Sequence, residues 1–513
     1  MLESLLDTSH RLGHRRFQLD QDQAPYAAAL SALAARDSIK LMVPGHGGTD
    51  AGISELLTDF IGEKAIHLDV PMLLEGIDLE DDSPFAESLA LAADAWGARR
   101  TWFLTNGASQ ANRTVALAVA GLGENVIAQR SAHSSFSDGV VLAGLNPSYV
   151  LPSVDSANGI AHGISVASLD KALSRAEDDG RPASAVYIVS PSYFGSVADV
   201  GGLAEVAHAH GAPRIVDGAW GPHFGFHPSL PESPTRLGAD LVISSTHKLA
   251  GSLTQSAMLH LGDGPFAEVL EPLIARAMTM TASTSSSALL MGSLDVARRA
   301  LATGEDAIGA SIDTALRFRE LLETDERFAD VGEGFAAFPD IAETDLLRVP
   351  IDVSATGISA HWIRDRLMTE HDLYFEMSTD TTLVAVIGAG KTPDVDSVFA
   401  TLIGVIESDE GQAQSSTGRA QTDFPELPAP GPVRVRPREG YFAATEIVPA
   451  AEAVGRISAD SLAAYPPGVP NVMPGEEITA EAVDFLTAVA ASPSGSVRGA
   501  VTSSVDSYRV LKG

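Results

Sequence analysis

A lysine that directly follows an apolar run is the strongest candidate for covalent chemistry. Lys248 lies in the segment Ser244–Leu253, just past the apolar run Ala239–Ile243, and its neighbours are Ser, Thr and His. The chain has only six lysines, so a lysine in a small-residue loop without nearby charges is unusual here. Such a position suits a Schiff base, because desolvation lowers the pKa of a lysine amine and frees it to attack a carbonyl. The alternative is a loop lysine without a chemical role.

A carboxylate upstream of this lysine supplies the partner that one cofactor requires. Asp217 ends the apolar run Arg214–Val216, and Gly218, Ala219 and Trp220 open the following loop. An aspartate at the carboxyl end of a strand in an α/β sheet points into the crevice where ligands bind. Pyridoxal 5'-phosphate (PLP) enzymes need this carboxylate, because it keeps the pyridine nitrogen protonated and the ring electron-poor. Asp217 followed by Lys248 has the order and approximate spacing of that pair, although a strand-end Asp can also form a turn or cap a helix.

A third segment has the features of a phosphate site. Asn106–Ser109 lies between a predicted strand and a predicted helix. Backbone N–H groups and a hydroxyl at a helix start can receive a phosphate. The alternative is an ordinary Asn-Gly turn.

Several stretches, in the same order along nearly the whole chain, resemble the major-domain family of ornithine, lysine and arginine decarboxylases. These are fold-type-I PLP enzymes. The matching stretches are Phe103–Asn112, Ser131–Ser135, the Asp217 and Lys248 segments, Thr284–Asp295 and Tyr465–Glu476. The last is the most specific, because these decarboxylases carry a similar Tyr-Pro-Pro-Gly to Pro-Gly-Glu run. Some members add an amino-terminal receiver-like domain, and we expect a short form without it, since Pro44–His46 comes early in this chain.

The resemblance implies a set of site residues. It places His133 on the pyridine ring, as a catalytic residue beside Lys248 and Asp217, and it implies no metal. The cofactor-binding residues that it implies are Gly107, Ala108, Ser109, His133, Asp217, Ala219, Trp220, Ser245, His247, Lys248, Thr284 and Ser285. Ser245 and His247 are expected to face the cofactor phosphate. For Trp220 plain core packing is the alternative, and for His133 a solvated loop position.

The family pattern also implies a homodimer with shared active sites, with a higher oligomer left open. In the family, the hydroxyls that match Thr284 and Ser285 reach the phosphate of a neighbouring subunit. Without the resemblance, these residues would read as a turn that caps the helix predicted near Ala288.

One carboxylate near the C-terminus is a candidate for substrate binding. Glu476 stands in a Pro/Gly-framed turn, where it can offer its carboxylate to the distal cation of a basic substrate. An equally simple interpretation is an acidic residue at a helix N-terminus, where it would favour the helix dipole.

The function implied by the resemblance is PLP-dependent decarboxylation of a basic L-amino acid (lysine, arginine or ornithine) to the amine and CO2. The alternatives are an aminotransferase or aldol-type lyase on the same fold, or a catalytically silent regulatory paralogue. Two departures keep the silent paralogue open. Ala108 replaces a usual hydroxyl residue, and Pro44–Gly48 lacks the lysine that family members usually carry between the histidine and the glycines.

Composition and charge limit the partners. The 513-residue chain has a formal net charge of −33, which argues against nucleic acids and anionic membranes, since both need clustered Lys and Arg. A negative field also attracts cationic substrates such as basic amino acids. The absence of cysteine excludes disulfides and thiolate metal sites. With no signal-peptide pattern and no apolar run long enough to span a membrane, the sequence predicts a cytoplasmic protein.

The order of predicted elements indicates an α/β protein. From Ser83 onwards, short apolar strands alternate with helical stretches, which predicts a mostly parallel sheet covered on both faces. The predicted strands are Thr101–Leu104, Asn125–Ala128, Ser148–Leu151, Ala185–Ser190, Arg214–Val216 and Leu241–Ser244. With the resemblance, this gives an aspartate-aminotransferase-like large domain and smaller C-terminal α/β domains.

Five segments follow from these patterns. They are an N-terminal segment at 1–82, a PLP-binding large domain at 83–305, a small α/β domain at 306–407, a linker or mobile loop at 408–436 and a C-terminal domain at 437–513. Residues 41–80 are expected to be irregular, because Pro and Gly turns and an acidic patch interrupt them.

Overall fold

The structure is a computed structural model, and it describes residues 19–36, 38–48, 52–416, 426–465, 468–491 and 495–513. These residues form two compact units that interleave along the chain. The first comprises the described residues of 1–121 together with 213–309 and 388–390, and the second comprises those of 122–212, 310–387 and 391–513. The predicted large domain at 83–305 contributes to both units, and the predicted domain boundaries stay a prediction.

The α-helices of the described residues are spread over both units. In chain order they are α1 (Pro25–Ala34), α2 (Glu55–Ile61), α3 (Glu63–Leu68), α4 (Pro84–Trp96), α5 (Gly107–Val119), α6 (Ser134–Ala143), α7 (Val166–Asp178), α8 (Val200–Ala209), α9 (Thr246–Leu249), α10 (Ala267–Thr281), α11 (Ala288–Ala302), α12 (Glu305–Glu323), α13 (Ala360–His371), α14 (Val395–Glu407), α15 (Asp409–Ser416), α16 (Pro437–Phe442), α17 (Ala450–Ala453) and α18 (Ala480–Ala491).

The β-strands of the described residues are mostly short. In chain order they are β1 (Arg100–Leu104), β2 (Asn125–Gln129), β3 (Asn146–Val150), β4 (Val154–Asp155), β5 (Ile160–Ala161), β6 (Ala185–Val189), β7 (Ser196–Val197), β8 (Arg214–Asp217), β9 (Leu241–Ser244), β10 (Ala257–Leu261), β11 (Ala329–Asp330), β12 (Glu343–Thr344), β13 (Arg348–Asp352), β14 (Met377–Ser378), β15 (Thr382–Val386), β16 (Thr445–Pro449), β17 (Leu462–Tyr465), β18 (Pro470–Val472), β19 (Ser496–Arg498) and β20 (Ser507–Leu511).

Four strands of the first unit lie side by side in the order β1, β10, β9, β8. β10 is antiparallel to both of its neighbours, and β9 is parallel to β8. Strands β1, β9 and β8 therefore run in the same direction, and their carboxyl ends lie at one edge. The strands are almost wholly buried, which is why they read as continuous apolar runs rather than alternating ones.

Four sheets account for most strands of the second unit. Strands β6, β2 and β3 pair in parallel, with β2 in the middle. An antiparallel sheet in the order β11, β13, β15, β14 packs with α13 and α14 around a core whose buried residues all fall between 315 and 406. A further core, between 448 and 510, is built on β16–β20 and α18. The predicted α/β architecture with a mostly parallel central sheet is confirmed.

Local signals explain why the predicted elements form where they do. Helix α4 starts after Ser83, whose side chain accepts a hydrogen bond from the Ala86 N–H at 3.3 Å, and Pro84 occupies its first turn. It ends at Gly97, whose φ of 68° is the left-handed conformation that glycine adopts without strain. The predicted strands of both units are found with bounds that differ from the prediction by no more than two residues.

Two expectations about elements were wrong, and one strand was missed. The region 41–80 is not irregular throughout, because it contains α2 and α3. The predicted linker at 408–436 begins with helix α15, and residues 417–425 of it lie outside the described residues. Strand β10 was not predicted. Among the described residues, no helix combines the length and the apolar character that a membrane span requires.

Candidate active site

Three loops of the first unit follow strands that end at the same sheet edge. Leu104 of β1 pairs with Ala257, and Ser244 of β9 pairs with Met258, so these two strand ends lie at nearly the same level of the sheet. Asp217, the last residue of β8, pairs with Ile243 of β9. The segments after β1, β8 and β9 are therefore the ones that sequence analysis selected for phosphate, ring nitrogen and amine chemistry. The fold brings them to one edge, where ligands bind in open α/β sheets.

The Asp217 carboxylate is buried and is held by hydrogen-bond donors. Asn112 Nδ2, from helix α5, donates to Asp217 Oδ2 at 3.1 Å, and the Ala219 N–H donates to Oδ1 at 3.1 Å. Asp217 is only 4% exposed. These two hydrogen bonds therefore fix the orientation of the buried carboxylate at the end of β8.

Lys248 lies on the one-turn helix α9, where a loop was expected. Its ammonium nitrogen stands 3.7 Å from the centroid of the Trp220 ring. A cation over the face of an indole is attracted by the negative face of the ring, which stabilises the charged amine. Trp220 is buried, but it does more than fill the core, because its ring also positions the lysine. The loop after β8 thus contributes both Asp217 and the contact to Lys248.

The residues around Lys248 offer polar atoms on the same short helix. His247 Nδ1 lies 2.9 Å from the Ser256 carbonyl oxygen, so this nitrogen carries a proton and donates. Ser245 is 2% exposed and stands at the start of the helix. The hydroxyl of Thr246 is fully buried and has no hydrogen-bond partner among the described residues. A ligand with acceptor oxygens is the simplest partner for such a group.

The start of helix α5 presents open backbone donors. Gly107 adopts a φ of 70°, and its N–H donates to the Gln255 carbonyl at 2.7 Å. The Asn106 side chain does not cap the helix, because its Oδ1 accepts from Gln255 Nε2 at 3.0 Å. The N–H groups of Ala108 and Ser109 fall in the first turn, where no intrahelical acceptor exists. The geometry supports the phosphate interpretation over an ordinary turn, with Ser109 and backbone amides in place of the hydroxyl that Ala108 lacks.

These residues fit PLP on the chemistry of their donor set. The cofactor needs an anion for its ring nitrogen, an amine for its aldehyde and N–H donors for its phosphate. The first unit supplies Asp217, Lys248 and the first turn of α5, and the buried, unpartnered Thr246 hydroxyl adds a donor beside the lysine.

His133 belongs to the second unit and precedes helix α6. Its Nδ1 accepts a hydrogen bond from the Ser135 N–H at 3.2 Å and lies 2.8 Å from the Ser135 hydroxyl oxygen. Because Nδ1 accepts from a backbone donor, the neutral ring carries its proton on Nε2. The ring is exposed in the single chain. Its place on the cofactor ring remains a prediction from the family resemblance.

Thr284 and Ser285 lie in an exposed turn between α10 and α11. The cap of α11 is Ser287, whose hydroxyl accepts from the Leu290 N–H at 3.3 Å. The turn therefore does cap α11, but through Ser287 and not through Thr284 or Ser285. Both residues are exposed on the single chain, as a role towards a second subunit requires, and that role stays a prediction.

Glu476 is buried in an ion pair of the second unit. Arg130 Nη1 lies 2.5 Å from Glu476 Oε1, and Nη2 lies 2.7 Å from Oε2. The Met473 N–H donates to Oε2 at 2.9 Å, and the Glu476 residue is 1% exposed. The helix interpretation is wrong, because α18 begins only at Ala480. The carboxylate that was predicted to bind a substrate cation is already bound to a cation of its own chain.

Sequence reasoning missed three residues whose hydrogen bonds orient the predicted site residues. They are Asn112 on Asp217, Ser135 on His133 and Arg130 on Glu476. Asn112 gave a usable signal, since asparagine in a helix interior is unfavourable unless its amide has a partner. The contact of Ser135 with His133 is local, because the two residues are two positions apart, whereas the pairing of Arg130 with Glu476 depends on tertiary structure and gave no signal.

The structure shows no group of three or more His, Asp or Glu side chains that could hold a metal ion within its described residues.

Two family models match the chain over most of its length. They are "Orn/Lys/Arg decarboxylase, major domain" at residues 24–343 and "Orn/Lys/Arg decarboxylase, C-terminal domain" at residues 436–494. Arginine decarboxylase of Bacillus subtilis (strain 168) is 32% identical over 473 residues, which cover 91% of this chain and 94% of that relative. Lysine decarboxylase LdcA of Pseudomonas aeruginosa is 25% identical and covers 90% of this chain and 75% of that relative.

Solved structures show the same fold. Lysine decarboxylase LdcF of Francisella novicida matches with a TM-score of 0.78 at 20% identity, over 95% of this chain and 81% of that one. Lysine decarboxylase A of Pseudomonas aeruginosa matches with a TM-score of 0.77 at 22% identity, over 95% of this chain and 80% of that one. At this level of identity the likeness establishes the fold, and the predicted fold type is confirmed.

Proposed function

The chain belongs to the Orn/Lys/Arg decarboxylase family, and on that premise we propose that it uses PLP to decarboxylate a basic L-amino acid. The products are CO2 and the corresponding amine. The observation that carries the proposal is the meeting of Asp217, Lys248 and the start of α5 at the carboxyl ends of β8, β9 and β1. An anion, an amine and open N–H donors at one sheet edge are the three contacts that the cofactor needs.

Arginine is the substrate that we propose first. Relatives named arginine decarboxylase are 31–32% identical over about nine-tenths of this chain, whereas those named lysine decarboxylase are 24–25% identical. Lysine and ornithine differ from arginine in side-chain length and in the shape of the cationic group. The formal net charge of −33 favours any of the three over neutral amino acids, because a negative field raises the local concentration of cations.

Each residue of the first unit has a distinct task in this proposal. When bound, PLP supplies the electron sink that accepts the electrons of the broken Cα–carboxylate bond. Asp217 holds a proton on the ring nitrogen, and its own orientation is set by Asn112. Lys248 is the residue that holds the cofactor covalently. The N–H groups at the start of α5, with Ser109, Ser245 and His247, bind the phosphate.

Proton transfer is assigned to two residues. Lys248 and His133 are the groups that we propose to supply the proton that replaces the carboxylate at Cα. Trp220 stabilises the Lys248 ammonium when the amine is free, which keeps a proton donor in place next to the loop after β8. Water exclusion follows from burial, since Asp217 and Ser245 are each less than 5% exposed.

A substrate panel tests the activity. Purified protein with PLP is incubated with L-arginine, L-lysine, L-ornithine and L-norleucine, and both CO2 and amine are measured, with Lys248→Ala as the inactive control. We expect CO2 and agmatine from arginine at the highest rate. Keto acid without CO2 would identify an aminotransferase. No turnover of any amino acid, with cofactor bound, would support the silent paralogue instead.

A further inference from the structure

We infer that Arg130 and Glu476 form a latch by which the C-terminal segment of the chain positions the turn that carries His133. Both residues are then positioning residues for the proposed decarboxylation, and Glu476 does not contact substrate. The inference rests on the proposed function only where it concerns catalysis. The claim that the ion pair holds the turn of His133 in place is testable in cofactor-free protein.

The latch is made by one guanidinium group with nearly all its donors used. Arg130 binds both Glu476 oxygens, its Nε donates to the Pro470 carbonyl at 2.7 Å, and its Nη2 donates to the Asn471 carbonyl at 3.2 Å. The side chains of Arg130 and Glu476 are 0% and 2% exposed. The guanidinium also lies over the Tyr149 ring, 4.5 Å from its centroid. Because the planar guanidinium of Arg130 donates in several fixed directions, it fixes the orientation of the run Pro470–Glu476 as well as the distance of this run from Arg130.

The backbone around Arg130 leads directly to the histidine. Arg130 is the first residue after β2, and its N–H donates to the Val150 carbonyl at 2.8 Å. The Ala132 N–H then closes a turn on the Gln129 carbonyl at 3.0 Å. His133 follows at once and accepts from the Ser135 N–H at the start of α6. A displacement of the Arg130 side chain is therefore transmitted over a short, hydrogen-bonded segment to the imidazole.

The neighbouring glutamine holds the same turn from the other side. Gln129 Nε2 donates to the Ser131 hydroxyl at 2.7 Å and to the His162 carbonyl at 3.1 Å, and its Oε1 accepts from the Val189 N–H at 3.0 Å. The turn is thus held by two adjacent side chains, one engaged with the central strands and one with the C-terminal segment. Such doubled support is excessive for an ordinary surface turn and fits a turn whose side chain must be placed accurately.

Burial of the pair argues for a geometric role rather than a stabilising one. Removing two charges from water is costly, and a well-packed apolar pair is often as stable as a buried ion pair. What an apolar pair cannot do is bind the Pro470 and Asn471 carbonyls in fixed directions. The function that only the ion pair provides is orientation of the β2 turn against the C-terminal segment.

The same strand offers a matched control. Glu124, immediately before β2, makes a two-point ion pair with Arg436, with both oxygens at 2.8 Å. This pair also joins β2 to the C-terminal part of the chain. It differs from the latch in two ways: the side chains of Arg436 and Glu124 are 43% and 54% exposed, and the pair lies at the end of β2 away from His133. Ion pairs on the surface are screened by solvent and contribute little. We therefore expect Glu124→Gln to change amide hydrogen exchange at residues 130–136 and kcat by no more than about twofold.

The experiment combines amide hydrogen exchange with steady-state kinetics. Cofactor-free wild-type protein, Glu476→Gln, Arg130→Lys and Glu124→Gln are compared by exchange of the peptide that covers residues 130–136. We expect Glu476→Gln and Arg130→Lys to exchange about tenfold to a hundredfold faster there, because a hydrogen bond to a charged group is lost and a lysine cannot restore the fork. Unchanged exchange in this peptide would overturn the latch.

Kinetics of the PLP-loaded enzymes then separate positioning from substrate binding. We expect kcat in Glu476→Gln to fall about a hundredfold, equally for arginine and lysine, with KM nearly unchanged. A rise in KM that differs between the two substrates would show that Glu476 binds the substrate cation and would overturn the inference. A wild-type enzyme that decarboxylates nothing would contradict the proposed function, while the exchange result still decides the latch.

An apolar pair keeps the test decisive if single variants do not fold. Arg130→Met/Glu476→Leu removes both charges together and is expected to unfold within a few degrees of wild type. We expect this folded double variant to show fast exchange at 130–136 and low kcat. Normal kcat in the folded double variant would overturn the latch.

Discussion

At the scale of single residues, the proposed chemistry depends on how the Asp217 carboxylate is oriented. Its two oxygens receive the Asn112 amide and the Ala219 N–H, and the side chain is almost fully buried. A protonated or rotated Asp217 would not hold the proton of a pyridine nitrogen. The hydrogen bonds are therefore as much a part of the site as the carboxylate itself.

The residue-scale prediction compares two variants of this contact. Asp217→Asn preserves shape but removes the anion, so we expect PLP to bind while kcat falls by about a thousandfold or more. Asn112→Leu removes only one donor to that anion, so we expect a loss of about tenfold to a hundredfold. Visible absorbance measures bound cofactor, and CO2 release measures kcat. Near-normal activity in Asp217→Asn would mean that another residue is the ring partner.

The chemistry-bearing residues could be predicted from sequence, and their supports could not. Asp217 and Lys248 stand at the ends of apolar runs, a signal that is local to the chain. The contact of Lys248 with Trp220 and the pairing of Glu476 with Arg130 join residues far apart in sequence. A single sequence contains no signal for such contacts, which is why Glu476 was interpreted as a substrate ligand and Trp220 was left undecided.

At the scale of elements, apolar runs predicted most strands and helices, and the failures have physical causes. β10 is fully buried, but only the one-turn helix α9 separates it from β9, to which it is antiparallel. It therefore departs from the alternation of strands and longer helices that predicted the other strands. α2 buries no side chain and α3 buries one, so neither leaves an amphipathic pattern. The periodicity of apolar residues in the sequence cannot predict elements that are held only by tertiary packing or that bury almost no side chains.

An ion-paired histidine between two helices gives a prediction at this scale. His210, at the end of α8, lies 2.8 Å from Glu177 and 3.1 Å from Asp170, both on α7. The hydrogen bonds that the His210 ring donates to Glu177 and then to Asp170 raise the pKa of His210 above its ordinary value of about 6.5. The ion pair of His210 with Glu177 and Asp170 therefore stabilises the fold fully below about pH 6.5, and this contribution is lost as the pH rises through the raised pKa of His210.

Thermal unfolding of His210→Gln measures that contribution. We expect the variant to unfold at a lower temperature than wild type at pH 5.5 and at nearly the same temperature at pH 9. In the background Asp170→Asn/Glu177→Gln, the substitution should change little at either pH. If His210→Gln lowered the unfolding temperature equally at both pH values, His210 would act by packing and not by charge.

At the scale of the whole molecule, exposed apolar side chains support the predicted homodimer. In the first unit, Ile39, Leu41, Leu56 and Phe60 are 93%, 96%, 80% and 83% exposed in the single chain. All four lie between residues 39 and 60, and large apolar side chains exposed to this degree are candidates for an interaction site. The exposed turn of Thr284 and Ser285 is on the same unit. A second copy of the chain that covers these residues would fit the family resemblance and the commonest closed symmetry.

Subunit exchange between two inactive variants tests the shared site. Lys248→Ala lacks the amine, and Thr284→Ala/Ser285→Ala lacks the hydroxyls proposed to reach the partner's phosphate. In a heterodimer, one of the two sites holds a good lysine and good partner hydroxyls, so we expect mixing to restore up to about half of the wild-type activity per such dimer. Confirmed exchange without recovered activity would show that these hydroxyls do not complete the partner's site.

The central claim is that Lys248 holds PLP covalently at the end of β9. Its most direct test is borohydride reduction of the PLP-loaded protein, followed by proteolysis and mass spectrometry of the labelled peptide. With only six lysines in the chain, the assignment is unambiguous. We expect one phosphopyridoxyl group, on Lys248, and none in Lys248→Ala. A label on another lysine such as Lys391, or no label on a protein that retains PLP, would contradict it.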